Sequence, residues 1–274
     1  MTVERSGGGD PERTLALLWR GHAAGRTDGR PARGRRPKLT VDKIVRAALA
    51  VADREGLAAM SMVRVAEEAG AGTMSLYTYV PGKAELIDLM VDAVLAERDL
   101  PGPGDPRPEG WREQIELYAE RTRATYLRHP WLREISTVRP PLGPGLMAQQ
   151  EYLLSALSGI GLSPRQITAA AGTIVTFVHA AAAAEAEYEQ AERTTGESAD
   201  AWWAARGSFW EDYFDVARHP TIARLWREGG FDAGTSGAHA ETYEFGFQRL
   251  LTGIQAAVER ARSRPTFQDQ ETHS

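Results

Sequence analysis

From Thr40 to about residue 262, apolar residues recur three and four positions apart, and no stretch alternates apolar with polar residues between hairpin turns. That period fits one face of an α-helix and not a strand, so an all-α chain without strands is expected. Thr40 is a good N-cap, Asp42 complements the dipole of the first turn, and Leu39 with Ile44 can form a hydrophobic staple. Ile44, Ala47, Ala48 and Val51 then share a face, and Gly56 stops the helix. Ser61 caps a shorter helix that runs to Gly70. A third runs from about Thr73 to Tyr79 and is closed by Pro81-Gly82. A fourth starts near Lys83, with Leu86, Leu89, Met90, Ala93 and Val94 as its stripe. The proline-rich stretch 100–108 is the best boundary or long loop. Further helices are expected at about 109–128, 130–137, 143–160, 164–190, 200–217 and 239–262, with His129-Pro130 and His219-Pro220 at helix ends.

The chain has no cysteine, which excludes disulfides and thiolate metal sites and suits a reducing interior. No apolar run is expected to span a bilayer, and the amino terminus has no hydrophobic signal core, so a cytoplasmic protein with no membrane partner is expected. The net charge is −5, yet residues 1–39 carry nine Lys/Arg against four Asp/Glu, a local excess of +5. "SGGGDPE" and "GRTDGRPARGRRPK" hold little to bury. Two readings stand: an arm for an anionic partner, through Arg33, Arg35, Arg36 and Lys38, or a solvated tail. "RTLALLWR" between them could add a helical turn or two, docked through Leu15, Leu18 and Trp19.

Ser61 to Tyr79 form two short helices joined by a glycine-containing turn, the layout of a helix-turn-helix. The second helix, in "GAGTMSLYTYVPGK", carries hydroxyls at Thr73, Ser75 and Thr78 and phenols at Tyr77 and Tyr79, with Lys83 following. Such groups bond phosphate oxygens, and Met74 and the Thr73 methyl could touch a thymine methyl. Leu76 and Val80, four apart, would face inward. The other reading is a short amphipathic helix whose tyrosines are only core or rim.

The stretch from Leu39 to Leu95 resembles the DNA-binding domain of the TetR family of transcriptional repressors, through the core Gly-x4-Ser-Leu-Tyr-x-Tyr-x3-Lys-x2-Leu (Gly70 to Leu86). The resemblance implies a three-helix DNA-binding head and a dimerising helical body that holds a small ligand. Groove-facing positions would fall on Thr73, Met74, Ser75, Tyr77, Thr78 and Tyr79, with Lys83 on phosphate and Ser61, Met62 and Val63 opening the second helix. Val63 stands where some relatives carry a base-reading arginine, so the operator sequence does not transfer. More weakly, "STVRP" (Ser136 to Pro140), "SPRQITAAAGTIVTFVHAAAAAEAE" and "YEFGFQRLLTGIQAAVERAR" are similar to the ligand-binding half of the tetracycline-repressor subgroup. In that subgroup the last two long helices form a four-helix bundle with their symmetry mates. Phe245, Leu250, Ile254 and Val258 are the dimerisation candidates. Two-fold symmetry would set two recognition helices one DNA turn apart, roughly 34 Å, on a palindromic operator of double-stranded DNA. The subgroup's metal-holding histidine aligns near Ile135, which cannot coordinate a metal, so no tetracycline–metal chelate is expected.

The implied layout is a flexible basic arm (1–39), a helix-turn-helix domain (40–86), an effector-binding and dimerisation domain (87–264) and a disordered tail (265–274). Trp111, Tyr118, Trp131, Ile135, Phe177 and His179 are candidates for the effector site; Trp202, Trp203 and Trp210 could also line an aromatic pocket or simply be packed. His179 could equally be a satisfied core histidine. "GPGLMA" (Gly143 to Ala148) matches Gly-x-Gly-x-x-Ala by chance, since it follows no strand. No catalytic constellation, cofactor motif or metal set is found, so no enzyme is expected. The alternatives are a helical enzyme using the C-terminal cavity, or a module whose tyrosines dock protein. If the arm tracks phosphates, replacing Arg33, Arg35, Arg36 and Lys38 with alanine flattens the salt dependence of DNA binding by several units of log–log slope. An unchanged slope in a filter-binding titration removes the arm from the account.

Overall fold

The computed structural model describes residues 4–23 and 39–263 of the 274. Arg33, Arg35, Arg36, Lys38 and the tail from residue 264 lie outside the described residues. The described chain is helical apart from two short strands, and it divides into two compact units, Met1–Leu157 and Ser158–Ser274. In the first unit, β1 (Glu4–Arg5) precedes α1 (Pro11–Leu18) and α2 (Arg20–Ala23). There follow α3 (Val41–Glu55), α4 (Met62–Ala69), α5 (Thr73–Tyr77), α6 (Lys83–Ala96) and α7 (Trp111–Arg128). A 3-10 turn (Pro130–Glu134), β2 (Ile135–Ser136) and α8 (Pro144–Leu157) complete it. The second unit holds α9 (Pro164–Thr195), α10 (Ala199–Ala204), α11 (Ser208–Asp212), α12 (Pro220–Arg227) and α13 (Gly234–Arg262).

The helix ends have the chemistry that the sequence offers. Thr40 Oγ1 accepts from Lys43 N at 3.2 Å, and the staple residues Leu39 and Ile44 are both buried. Ser61 Oγ caps α4 at the Arg64 N–H, and Gly70 closes it in the left-handed region at φ +64. The Gly70 and Ala71 N–H groups then return to Glu67 O and Ala66 O, so the turn into α5 meets two of the orphan carbonyls of α4. In the second unit, Ser163 and Gln166 form a capping box at the start of α9. There Phe177 stacks on Tyr243 and Phe247 of α13, and Gly246 admits the Phe177 ring so closely that a Cβ would sit 2.7 Å from it.

Several expectations are corrected. Strands do occur: Glu4 and Arg5 pair in parallel with Ile135 and Ser136, a ladder too short to leave any alternation in the sequence, and the helix expected at 130–137 is only a 3-10 turn to Glu134 that leads into β2. Residues 4–23 are not an unstructured arm. Ser6 Oγ and Gly7 N donate to Asp88 Oδ1 at 2.5 and 2.7 Å, and Asp10 N donates to Glu85 Oε1 at 3.1 Å, so polar atoms dock the segment on α6. The stretch 200–217 is two short helices interrupted at Ala205–Gly207, and α12 follows where no helix was expected. Finally, α9 is long and apolar enough to cross a membrane by length and composition, because its alanines add up to a hydrophobic stretch that reads as merely small.

The glycines of "GPGLMA" have a packing reason. α8 starts so close to α6 that a Cβ on Gly145 would fall on the carbonyl oxygen of Asp92 and within 2.9 Å of the Ala96 nitrogen. Leu146 N donates to Asp92 Oδ1 at 3.0 Å in the same contact. Ala for Gly inside a helix usually stabilises by about 0.5–1 kcal/mol. Here the sign reverses: Gly145→Ala costs about 1–3 kcal/mol through overpacking. Denaturant unfolding of the variant checks this, and an unchanged or raised midpoint counts against it.

Candidate nucleic-acid interface

A helix of five residues cannot stand alone, so α5 depends on its anchors. Leu76 and Val80 are completely buried in the head beneath it. With that side fixed, the opposite side is presented outward: Met74 is 79% and Tyr77 44% exposed, and Ser75 and Thr78 are exposed. Thr73 and Tyr79 are half-buried at the edges of this face. At the start of α4, Ser61 is exposed but its hydroxyl is engaged as the cap, and Val63 is 55% exposed. Met62 is a correction. The residue is 7% exposed and belongs to the head's core, where α4 packs on α3.

Arg64 does not substitute for the arginine absent at 63. Its guanidinium bonds Glu55 at 2.7 Å and Glu68 at 3.2 Å, and Arg54 closes the cluster through the same two acids. Hydrogen bonds from Arg64 and Arg54 hold the Glu55 carboxyl at about 2. Lys83 opens α6 beside the face, but its ammonium is paired with Glu4 at 2.7 Å. A phosphate would have to replace that carboxylate.

The head is tied to the next helices by one histidine. His129, at the end of α7, places Nδ1 2.7 Å from Asp53 of α3 and Nε2 2.9 Å from Glu97 at the end of α6. Trp131 Nε1 donates to the same Asp53 oxygen at 2.6 Å. Burial opposes charge on His129, but the hydrogen bonds it donates to Asp53 and then Glu97 outweigh it, and its pKa is raised. Both ring nitrogens facing carboxylates describe an imidazolium. Nothing in the local sequence announces this bridge, since its members are 76 and 32 positions apart.

Of the effector-site candidates, Tyr118 and Trp131 are buried, Trp111 is half-buried with Arg112 over its ring, and Ile135 is buried in β2. These lie in the first unit, whereas Phe177 is in the α9–α13 stack and His179 is half-buried on α9. Of the dimerisation candidates, Phe245 is 70% exposed and Leu250 half-buried, while Ile254 and Val258 are buried within the chain itself.

A helix-turn-helix head with a hydroxyl- and phenol-bearing outer face, followed by an all-helical body, defines a DNA-binding transcriptional regulator. The comparisons agree. The family described as "Bacterial regulatory proteins, tetR family" matches residues 44–90, and "Tetracyclin repressor-like, C-terminal domain" matches 103–258. The HTH-type transcriptional repressor DrrR1 of Streptomyces coeruleorubidus is 41% identical over 261 residues, 95% of this chain and 92% of that one. An HTH-type transcriptional regulator of Saccharopolyspora erythraea is 30% identical over 213 residues, covering 72% and 89%. Among solved structures, apo ActR from Streptomyces coelicolor aligns with TM-score 0.65 at 30% identity, covering 83% of this chain and 100% of ActR. ActR has also been solved with actinorhodin, aligning with TM-score 0.64 at 29% identity and covering 80% and 96%. The chain belongs to the TetR family; it is a transcriptional regulator with repressor-type relatives and not an enzyme.

Two predictions follow from the geometry. Removing Glu4 (Glu4→Ala) frees Lys83 and raises DNA affinity a few-fold, and the gain vanishes when Lys83 is also alanine, as read in a double-mutant cycle of gel shifts. A gain independent of Lys83 contradicts it. The raised pKa of His129 means its bridge contributes fully below about 6.5, the unfolded value, and fades as pH rises through the higher folded value. The stability gap between the wild type and His129→Gln therefore narrows as pH rises through the folded pKa. A gap that widens with pH in paired urea titrations refutes the imidazolium.

Proposed function

We propose that the chain is a homodimeric cytoplasmic repressor that reads a palindromic operator through α5 and is released by a small-molecule effector. The observation that carries the reading is the outward face of α5, with Met74, Ser75, Tyr77 and Thr78 solvent-facing over the buried pair Leu76 and Val80. On this reading Thr73 and Tyr79 flank the groove, Ser61 lies at the backbone and Lys83 meets phosphate. The second unit favours a second copy of the chain. Most of the apolar stretch of α9 is not buried within one chain, and Trp202, Trp203, Trp226 and Phe231 are all at least 40% exposed. Such a surface suits a large obligate interface, with Phe245 and Leu250 at its accessible part. A dimer accounts for α9 with polar flanks at Arg165 and Arg193, whereas a membrane span would leave α13 without its stacking partner.

The effector is carried over from ActR, whose structures hold actinorhodin and (S)-DNPA. Release requires the ligand to prefer one of two arrangements of the heads, and a hundredfold preference corresponds to about 2.7 kcal/mol of coupling. The bridge Asp53–His129–Glu97 is the contact through which α6 and α7 would report to α3. Gel shifts on promoter fragments of its own and neighbouring genes test the reading. The wild type retards a fragment containing an inverted repeat. Tyr77→Ala and Lys83→Ala, with unchanged far-ultraviolet circular dichroism, lose at least tenfold in affinity. Retention of full affinity by both variants would return α5 to the status of a structural helix.

A further inference from the structure

Just beyond the end of α6, the first unit buries a cation that has no counter-ion. Arg98 is 1% exposed. Its Nη1 donates to Gln149 Oε1 of α8, and its guanidinium carbon lies 5.7 Å from the centroid of the Tyr118 ring on α7. The Tyr118 hydroxyl is its other polar neighbour, yet Nε and Nη2 make no hydrogen bond of good geometry, and among the described residues no carboxylate pairs with it. Burial pulls the pKa of Arg98 down, and the phenols of Tyr118 and Tyr126 act against that pull. Those phenols cannot serve as counter-ions, because burial raises both of their pKa values and keeps them neutral. Nearby on α7, Gln114 is also buried; its amide nitrogen donates to Pro108 O, and its Oε1 has no partner. Tyr152, buried on α8, donates to the Gln114 carbonyl at 3.0 Å.

A guanidinium stays charged in a protein, and an uncompensated buried charge is among the most costly features a fold can hold. Its remaining N–H groups form a planar fork that matches two coplanar oxygens, as in a carboxylate or an ionised phenol beside a carbonyl. The neighbouring tyrosine rings supply flat walls. We propose that Arg98 is the anion anchor of the effector site, which takes a flat aromatic acid whose ionised oxygens bond Nε and Nη2 while a ligand hydroxyl donates to Gln114 Oε1. This deepens the effector reading above and rests on it for the ligand's regulatory meaning, but not for binding itself.

The test uses the full chain and a matched pair of probes, anthraquinone-2-carboxylate and its neutral carboxamide, in calorimetric titration at pH 7. The wild type binds the acid at least tenfold more tightly than the amide. Arg98→Met, which keeps the side-chain length without the charge, binds both alike; Arg98→Lys keeps part of the preference. The acid–amide comparison in the wild type stands by itself if the methionine variant does not fold. Equal affinities in the wild type, binding of neither probe, or a preference that survives in Arg98→Met overturns the proposal. Operator binding measured on the same samples separates the two readings. A protein that prefers the acid yet retards no DNA fails as a repressor and keeps the anion site.

Discussion

Three buried carboxylates on one helix hold the first unit together. Glu85, Asp88 and Asp92 of α6 are 8%, 1% and 7% exposed, and their spacing of three and four puts them along one side. Left alone, each would be prohibitively costly, so each must be met by donors. Asp10 N–H meets Glu85; Ser6 Oγ–H and Gly7 N–H meet Asp88; the Leu146 N–H meets Asp92. Burial still raises the pKa values of Asp88 and Asp92, with these bonds acting against the rise. Hydrophobic burial alone is non-directional, whereas these bonds fix where the amino-terminal segment and α8 lie against α6.

The consequences run toward the head. α6 begins three residues after Val80, the last anchor of α5, and ends at Glu97, which joins Asp53 of α3 through His129. The helix that carries the carboxylates is thus joined at its start to α5 and at its end, through His129, to α3. Its last turn also leads directly to Arg98. A ligand at Arg98 and a phosphate at Lys83 would act on the two ends of one helix. That gives an effector a short mechanical route to the reading face without a chain of distant contacts.

Much of the head was legible because its signals are local. Thr40, Ser61, Gly56 and Gly70 are caps and stops whose partners lie within a few residues, and the Leu76–Val80 spacing shows the inward side of α5 directly. The failures share one physical cause: the partner lies far along the chain. Nothing near Ser6 or Asp10 predicts docking on residues 75 to 82 positions away. The Gly-x-Gly-x-x-Ala pattern is a chance match, and the reason for Gly145 is the backbone of Asp92 on another helix. Met62 was assigned by family position, while its burial is decided by packing in the head. The alanines of α9 read as good helix formers, and that most of its apolar stretch is left unburied within the chain is visible only in the structure. Burial of Arg98 is equally invisible in the sequence, because its contacts on Tyr118 and Gln149 lie on other helices.

The central claim is that α5 is held outward twice per assembly at a separation matched to the DNA repeat. The chain lacks cysteine, so Glu67→Cys, exposed on α4 next to α5 and outside its reading face, provides a single spin-label site on each copy. Double electron–electron resonance on the labelled protein bound to DNA is predicted to give one narrow distance near the helical repeat, about 34 Å plus the reach of the labels. No dipolar coupling, or a broad distribution that ignores DNA, would contradict the account.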